Sequence, residues 1–88
     1  MTAEYTTHCA SMEKELTGLL QTVLQWLPPQ NFEAAREFVA AREYGLALKV
    51  ISEGMRETGH VAPFIDLILK LAREMEIADE PFVKALTR

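Results

Sequence analysis

Residues 31–59 read NFEAAREFVAAREYGLALKVISEGMRETG, and this stretch decides the fold. Phe32, Ala35, Phe38 and Val39 recur at the spacing of one helix face, and Leu46, Val50, Ile51 and Met55 do the same further on. Between the two sets Tyr44-Gly45 leaves almost no loop. Glycine can take the left-handed conformation that ends a helix, and the adjacent tyrosine can cover the corner. Two short amphipathic helices folded into a hairpin are therefore expected from Asn31 to Gly59, with the rest of the chain packed around them.

Upstream, Met12, Leu16, Leu19, Leu20, Val23, Leu24 and Leu27 form a stripe at steps of three and four. It predicts a first helix from about Cys9, with residues 1–8 frayed or loosely docked. Gly18 lies inside that helix, where it costs about 1 kcal/mol against alanine, and is expected to mark a close helix approach. Pro28-Pro29 stops the helix at or before Leu27. Asn31 is the expected N-cap of the second helix, and Glu33 suits the dipole of its first turn. The third helix runs from near Gly45 to Gly59, with Gly54 weakening its interior.

A fourth helix is expected from Val61 or Ala62, with Pro63 in its first turn. Its apolar residues, from Phe64 to Met75, cover more than half its circumference, which predicts a helix buried on two sides and central to the bundle. It ends by Ile77. Asp79-Glu80-Pro81 signals a last short helix docked by Phe82, Val83 and Leu86. No strand alternation and no internal repeat stand out. The expected fold is all-α, a single domain over residues 1–88 made of four to five short helices.

Of 88 residues, 49% are hydrophobic and 25% charged, which is globular composition. The 13 acids exceed the 9 bases, and the net charge of −4 argues against a general nucleic-acid binder. It permits a basic protein partner, since opposite potentials speed encounter. Cys9 is the one cysteine, so no disulfide forms within the chain, and a cytoplasmic location fits. MTAEYTTHCASMEKEL lacks the basic patch and apolar run of a signal peptide. The apolar stretch Val61–Ala72 is interrupted by Asp66 and Lys70, and no membrane-spanning helix is expected.

Chemistry is sparse. His8 adjoins Cys9, but a Cys–His nucleophile pair would need the distant His60 near Cys9 and an orienting carboxylate, and a small packing cysteine is the simpler reading. No HxxxH, CxxC or ExxH spacing predicts a metal site, no glycine loop would cradle phosphate, and no cofactor is expected. Glu33 and Glu37 share a helix face, as do Glu53 and Glu57. Arg36, Lys49 and Arg56 stand beside them, so solvated ion pairs are favoured over acid–base catalysis. An enzyme is not expected. What remains is a surface: Glu33, Glu37, Glu43, Tyr44, Glu53 and Glu57 all lie on the hairpin, with Tyr44 either an interface anchor or a corner-packing ring. Trp26, beside the stripe, is expected half-buried.

Over EFVAAREYGLALKVISEGMRETG the chain resembles small helical bacterial immunity proteins, including those of Maf-type and contact-dependent growth inhibition systems. The resemblance rests on the acid-rich helix, the Glu43-Tyr44-Gly45-Leu46-Ala47-Leu48 corner, Glu53 and the later apolar helix, and spans about Phe32–Met75. It implies a cytoplasmic antidote that binds the C-terminal toxic domain delivered by a neighbouring cell, often a basic nuclease, and masks its active site or substrate surface. No direct nucleic acid or membrane partner is implied, and oligomeric state stays open. The alternative is a helical adaptor or regulator, self-associating through Trp26 and Tyr44. A DNA-binding regulator is disfavoured because each helix mixes both signs of charge. A carrier protein is disfavoured because Asp-Ser-Leu is absent.

Overall fold

The computed structural model describes the backbone of residues 2–86 and the side chains of residues 10–86. Among these residues five α helices follow one another: α1 (Thr2–Val23), α2 (Pro29–Ala40), α3 (Tyr44–Glu57), α4 (Ile65–Glu74) and α5 (Pro81–Leu86), with a 3-10 turn at Ala62–Phe64 leading into α4. Among the described residues there is no strand. The all-α bundle expected from the periodicity is the observed architecture.

α1 starts earlier than the stripe suggests. Its backbone is helical from Thr2, so residues 2–8 belong to the helix rather than to a frayed leader. Extending an existing helix costs far less than nucleating one, and weak local periodicity does not prevent it. At the other end, Trp26 and Leu27 both donate their N–H to the Val23 carbonyl, at 2.9 and 3.0 Å. That closing turn tucks Leu27 inward and leaves Leu24, a member of the apolar stripe, 48% exposed.

Pro28 then holds an extended backbone (φ −56°, ψ 141°), and Pro29 begins α2, where a missing N–H costs nothing. Asn31 is therefore not the N-cap. It sits within the first turn of α2, and its side-chain amide donates to the Val50 carbonyl of α3 at 3.1 Å. The two helices come close here because Gly54 has no side chain. A Cβ at Gly54 would stand 2.6 Å from Leu27 Cδ1 and 3.0 Å from the Asn31 amide, whereas one at Gly18 would meet nothing within 4 Å. Close approach is thus marked by Gly54 and not by Gly18.

Three helices end in the same way. After α2, Arg42 donates to the Val39 carbonyl (3.0 Å) and Glu43 to that of Phe38 (2.8 Å). After α3, Gly59 donates to Arg56 (3.1 Å) and His60 to Met55 (2.9 Å). After α4, Glu76 donates to Arg73 (3.1 Å) and Ile77 to Ala72 (2.9 Å). Each is a Schellman closure, and its pivot residue must take a left-handed backbone: φ is 61° at Arg42, 77° at Gly59 and 61° at Glu76. The sharp α2–α3 corner consequently turns on Arg42. Gly45, expected to supply that conformation, lies in the first turn of α3, where an added Cβ would meet Ile77 Cδ1 at 3.5 Å.

α3 is the central helix, packing against α1, α2, α4 and α5. Ala47, Leu48, Ile51 and Met55 are fully buried, and Ser52 between them donates its hydroxyl to the Leu48 carbonyl at 2.8 Å, so no polar atom there goes unsatisfied. Met12, Leu16, Leu19, Leu20 and Val23 of α1 complete one side of the core, and Phe82, Val83 and Leu86 dock α5 as expected. The centrality predicted for α4 is not observed. Ile68, Leu71 and Ala72 are buried, but Leu67 is 40% exposed and the outer face of α4 is open.

Candidate interaction surface

The charged residues of the hairpin project from the faces that its apolar residues leave over. On α2, Ala35 and Val39 point inward, which turns Glu33, Arg36 and Glu37 to solvent. Arg36 Nη2 donates to Glu33 Oε2 at 3.0 Å, with both side chains more than half exposed. On α3, burial of Leu48, Ile51 and Met55 turns Lys49, Glu53, Arg56 and Glu57 outward. Glu43 stands at the corner, exposed, and its carbonyl accepts from Ala47 at 3.1 Å to start α3. Tyr44 is half-buried against the core, in the covering position expected of it.

These six site residues do not converge on one cavity. Glu53 alone among them lines a groove of about 300 Å³ between α3 and α5, together with Lys49, Arg56, Glu80, Pro81, Phe82 and Ala85. Glu33, Glu37, Glu43, Tyr44 and Glu57 lie outside it. The expected ion pairing is realised, among the described residues, only at Glu33–Arg36. Among the described residues, Lys49, Glu53, Arg56 and Glu80 make no ion pair, although Lys49–Glu53 and Glu53–Arg56 have pairing distance along the helix. The groove therefore offers two cations and two anions with their charges unsatisfied by neighbours. Lys49 and Arg56 bracket Glu53 visibly in the sequence; that α5 forms the opposite wall is not written there.

Elsewhere, Trp26 stacks on His60 with ring centroids 5.6 Å apart and meets Phe64 at 5.7 Å. Trp26 and Phe64 are half-buried and His60 is exposed, and together they tie the α1–α2 connection to the α3–α4 connection. One carboxyl is displaced from its ordinary titration: Glu15 on α1 is pushed up, first by burial and then by a hydrogen bond and repulsion from Glu74 of α4, while Lys70 pulls the other way. The side chains of His8 and Cys9 lie outside the described residues. Among those described, no three His, Cys, Asp or Glu side chains gather where they could hold a metal ion, and no helix is long and apolar enough to cross a membrane. No family model, curated protein or solved structure matches this chain.

Proposed function

We propose that this chain acts by binding another protein, as a cytoplasmic immunity protein that neutralises a bacterial toxin domain. The observation that supports it is the outer face of α3, where Glu53 stands in an open groove among charges that make no ion pair among the described residues. Charged side chains held at fixed spacing on a helix and left unpaired are ready to make intermolecular pairs, and such pairs set partner choice and encounter rate. The groove itself is balanced in charge. The hairpin adds exposed acids outside the groove, Glu57 on α3 and Glu33 and Glu37 on α2, and the chain as a whole carries a net charge of −4. A net negative chain of this kind complements the basic surface with which a nuclease holds its substrate.

Co-expression tests the reading directly. The tagged protein is produced with the product of the adjacent reading frame, the complex is captured, and growth is followed with and without this protein. A stable complex and rescued growth are expected. A frame whose product is neither bound nor toxic overturns the immunity reading. Within a complex, the double variant Glu53→Lys/Glu57→Lys is expected to bind at least tenfold more weakly, and unchanged affinity would remove this face from the interface.

A further inference from the structure

The outer face of α3 carries a pattern that complements itself. Leu46, Lys49, Glu53 and Arg56 follow at steps of three, four and three, the spacing of a coiled-coil seam. At 3.6 residues per turn they fall in one strip roughly 80° wide. All four are exposed, Leu46 to 44% of its surface, and the three charges are unpaired within the described chain.

We infer that this strip is the contact of a symmetric dimer, in which α3 packs antiparallel against α3 of a second copy. One register satisfies all four positions at once. With the two-fold axis opposite Ile51, Lys49 of each copy faces Glu53 of the other. In that same register Leu46 of each copy lies against the aliphatic stem of Arg56 of the other, where an arginine covers apolar surface while its head stays wet. Self-complementarity of this kind is what an isologous two-fold interface requires. Pro81 and Ala85 of α5 line the groove beside Lys49, Glu53 and Arg56, so α5 flanks the seam. The seam is short and mostly polar, so the dimer is weak and forms at high protein concentration. This inference does not depend on the toxin partner proposed above, and it uses the face that such a partner would have to compete for.

Sedimentation equilibrium at about 0.15 M salt, where charges beyond about 8 Å are screened, tests it. As concentration rises to about 1 mM, the apparent mass should climb from 9.9 kDa toward twice that value. Glu53→Lys places like charges at both crossings and should weaken association about tenfold. The double variant Lys49→Glu/Glu53→Lys swaps the signs, restores both pairs and should recover it. Circular dichroism should show the same helix content in all three proteins. A monomer at every concentration, continued growth into larger assemblies, or a double variant as weak as the single one would each overturn the inference.

Discussion

The side-chain amide of Asn31 in α2 donates to the backbone carbonyl of Val50 in α3 at 3.1 Å, crossing from one arm of the hairpin to the other. In a helix that carbonyl also receives the N–H of the residue four positions on, here Gly54. The residue that removes the steric barrier between the helices is therefore bonded to the same oxygen that fastens them. Asn31→Ala should lower stability by about 1 kcal/mol, the net worth of one such hydrogen bond. Urea unfolding should show an earlier midpoint with an unchanged slope. A loss below a few tenths of a kcal/mol would mean that water replaces the amide at no cost.

Gly18 and Gly54 are both helical glycines, and their replacement should have opposite results. Gly18 faces open space on α1, so Gly18→Ala should gain most of the helix-propensity difference, about 0.5–1 kcal/mol. At Gly54 the new methyl would press on Leu27 and on Asn31, and overpacking of this sort costs about 1–3 kcal/mol before any propensity gain. Leu27 can swing its Cδ1 away, but the Asn31 amide is held by Val50. Gly54→Ala should thus show no net gain and should weaken the α2–α3 clamp. Thermal melts of the two variants, run side by side, decide the matter, and a stabilised Gly54→Ala would refute the packing argument.

The left-handed pivots make a second contrast. Arg42 and Glu76 adopt φ near 61° with side chains attached, while Gly59 does the same work at no steric cost. A side chain in this region is strained by roughly 1 kcal/mol relative to glycine. Arg42→Gly and Glu76→Gly should each raise stability by about 0.5–1 kcal/mol, whereas Gly59→Ala should lower it by about 1 kcal/mol. Chemical denaturation of the three variants gives the signs. A destabilised Arg42→Gly would show that the arginine side chain holds the corner in a way that outweighs its backbone strain.

The same residues mark how far the sequence can be read. The hairpin is legible because helical periodicity and the terminal glycine at position 59 report local preferences directly. Arg42 and Glu76 are opaque because a Schellman closure is a pattern of backbone bonds, and it accepts a side chain that the surrounding packing can hold. α4 misleads because counting apolar residues says nothing about direction: Leu67 is as apolar as Leu71, yet one is 40% exposed and the other buried. Gly18 and Gly54 are equivalent as letters, and only the helix lying opposite distinguishes them. The candidate surface divides likewise. That Glu53 and Glu57 face outward follows from the burial of Ile51 and Met55. The groove around Glu53 exists only because α5 returns to α3, a tertiary event that local spacing does not encode.

Glu15 supplies a dependence on pH. Its folded-state carboxyl titrates above the ordinary 4.5, because burial and the Glu74 carboxyl both favour the protonated form, with Lys70 partly opposing them. A group whose folded titration is raised stabilises the fold below its unfolded value. That contribution is lost as pH rises through the folded value. At pH 7 the ionised Glu15 therefore works against the fold. Glu15→Gln carries no charge and can still donate to Glu74, so it should be more stable than the parent at pH 7. The gain should be only about 0.5 kcal/mol, since the site is partly exposed and solvent screens the repulsion. Near pH 4 the two proteins should converge. Lys70→Met should act in the other sense, since removing the opposing cation leaves the carboxyl pair unrelieved at neutral pH. Denaturation midpoints of the three proteins at pH 4 and pH 7 provide the check, and a Glu15→Gln variant no more stable than its parent at pH 7 would show that α1 and α4 hold these carboxyls without mutual repulsion.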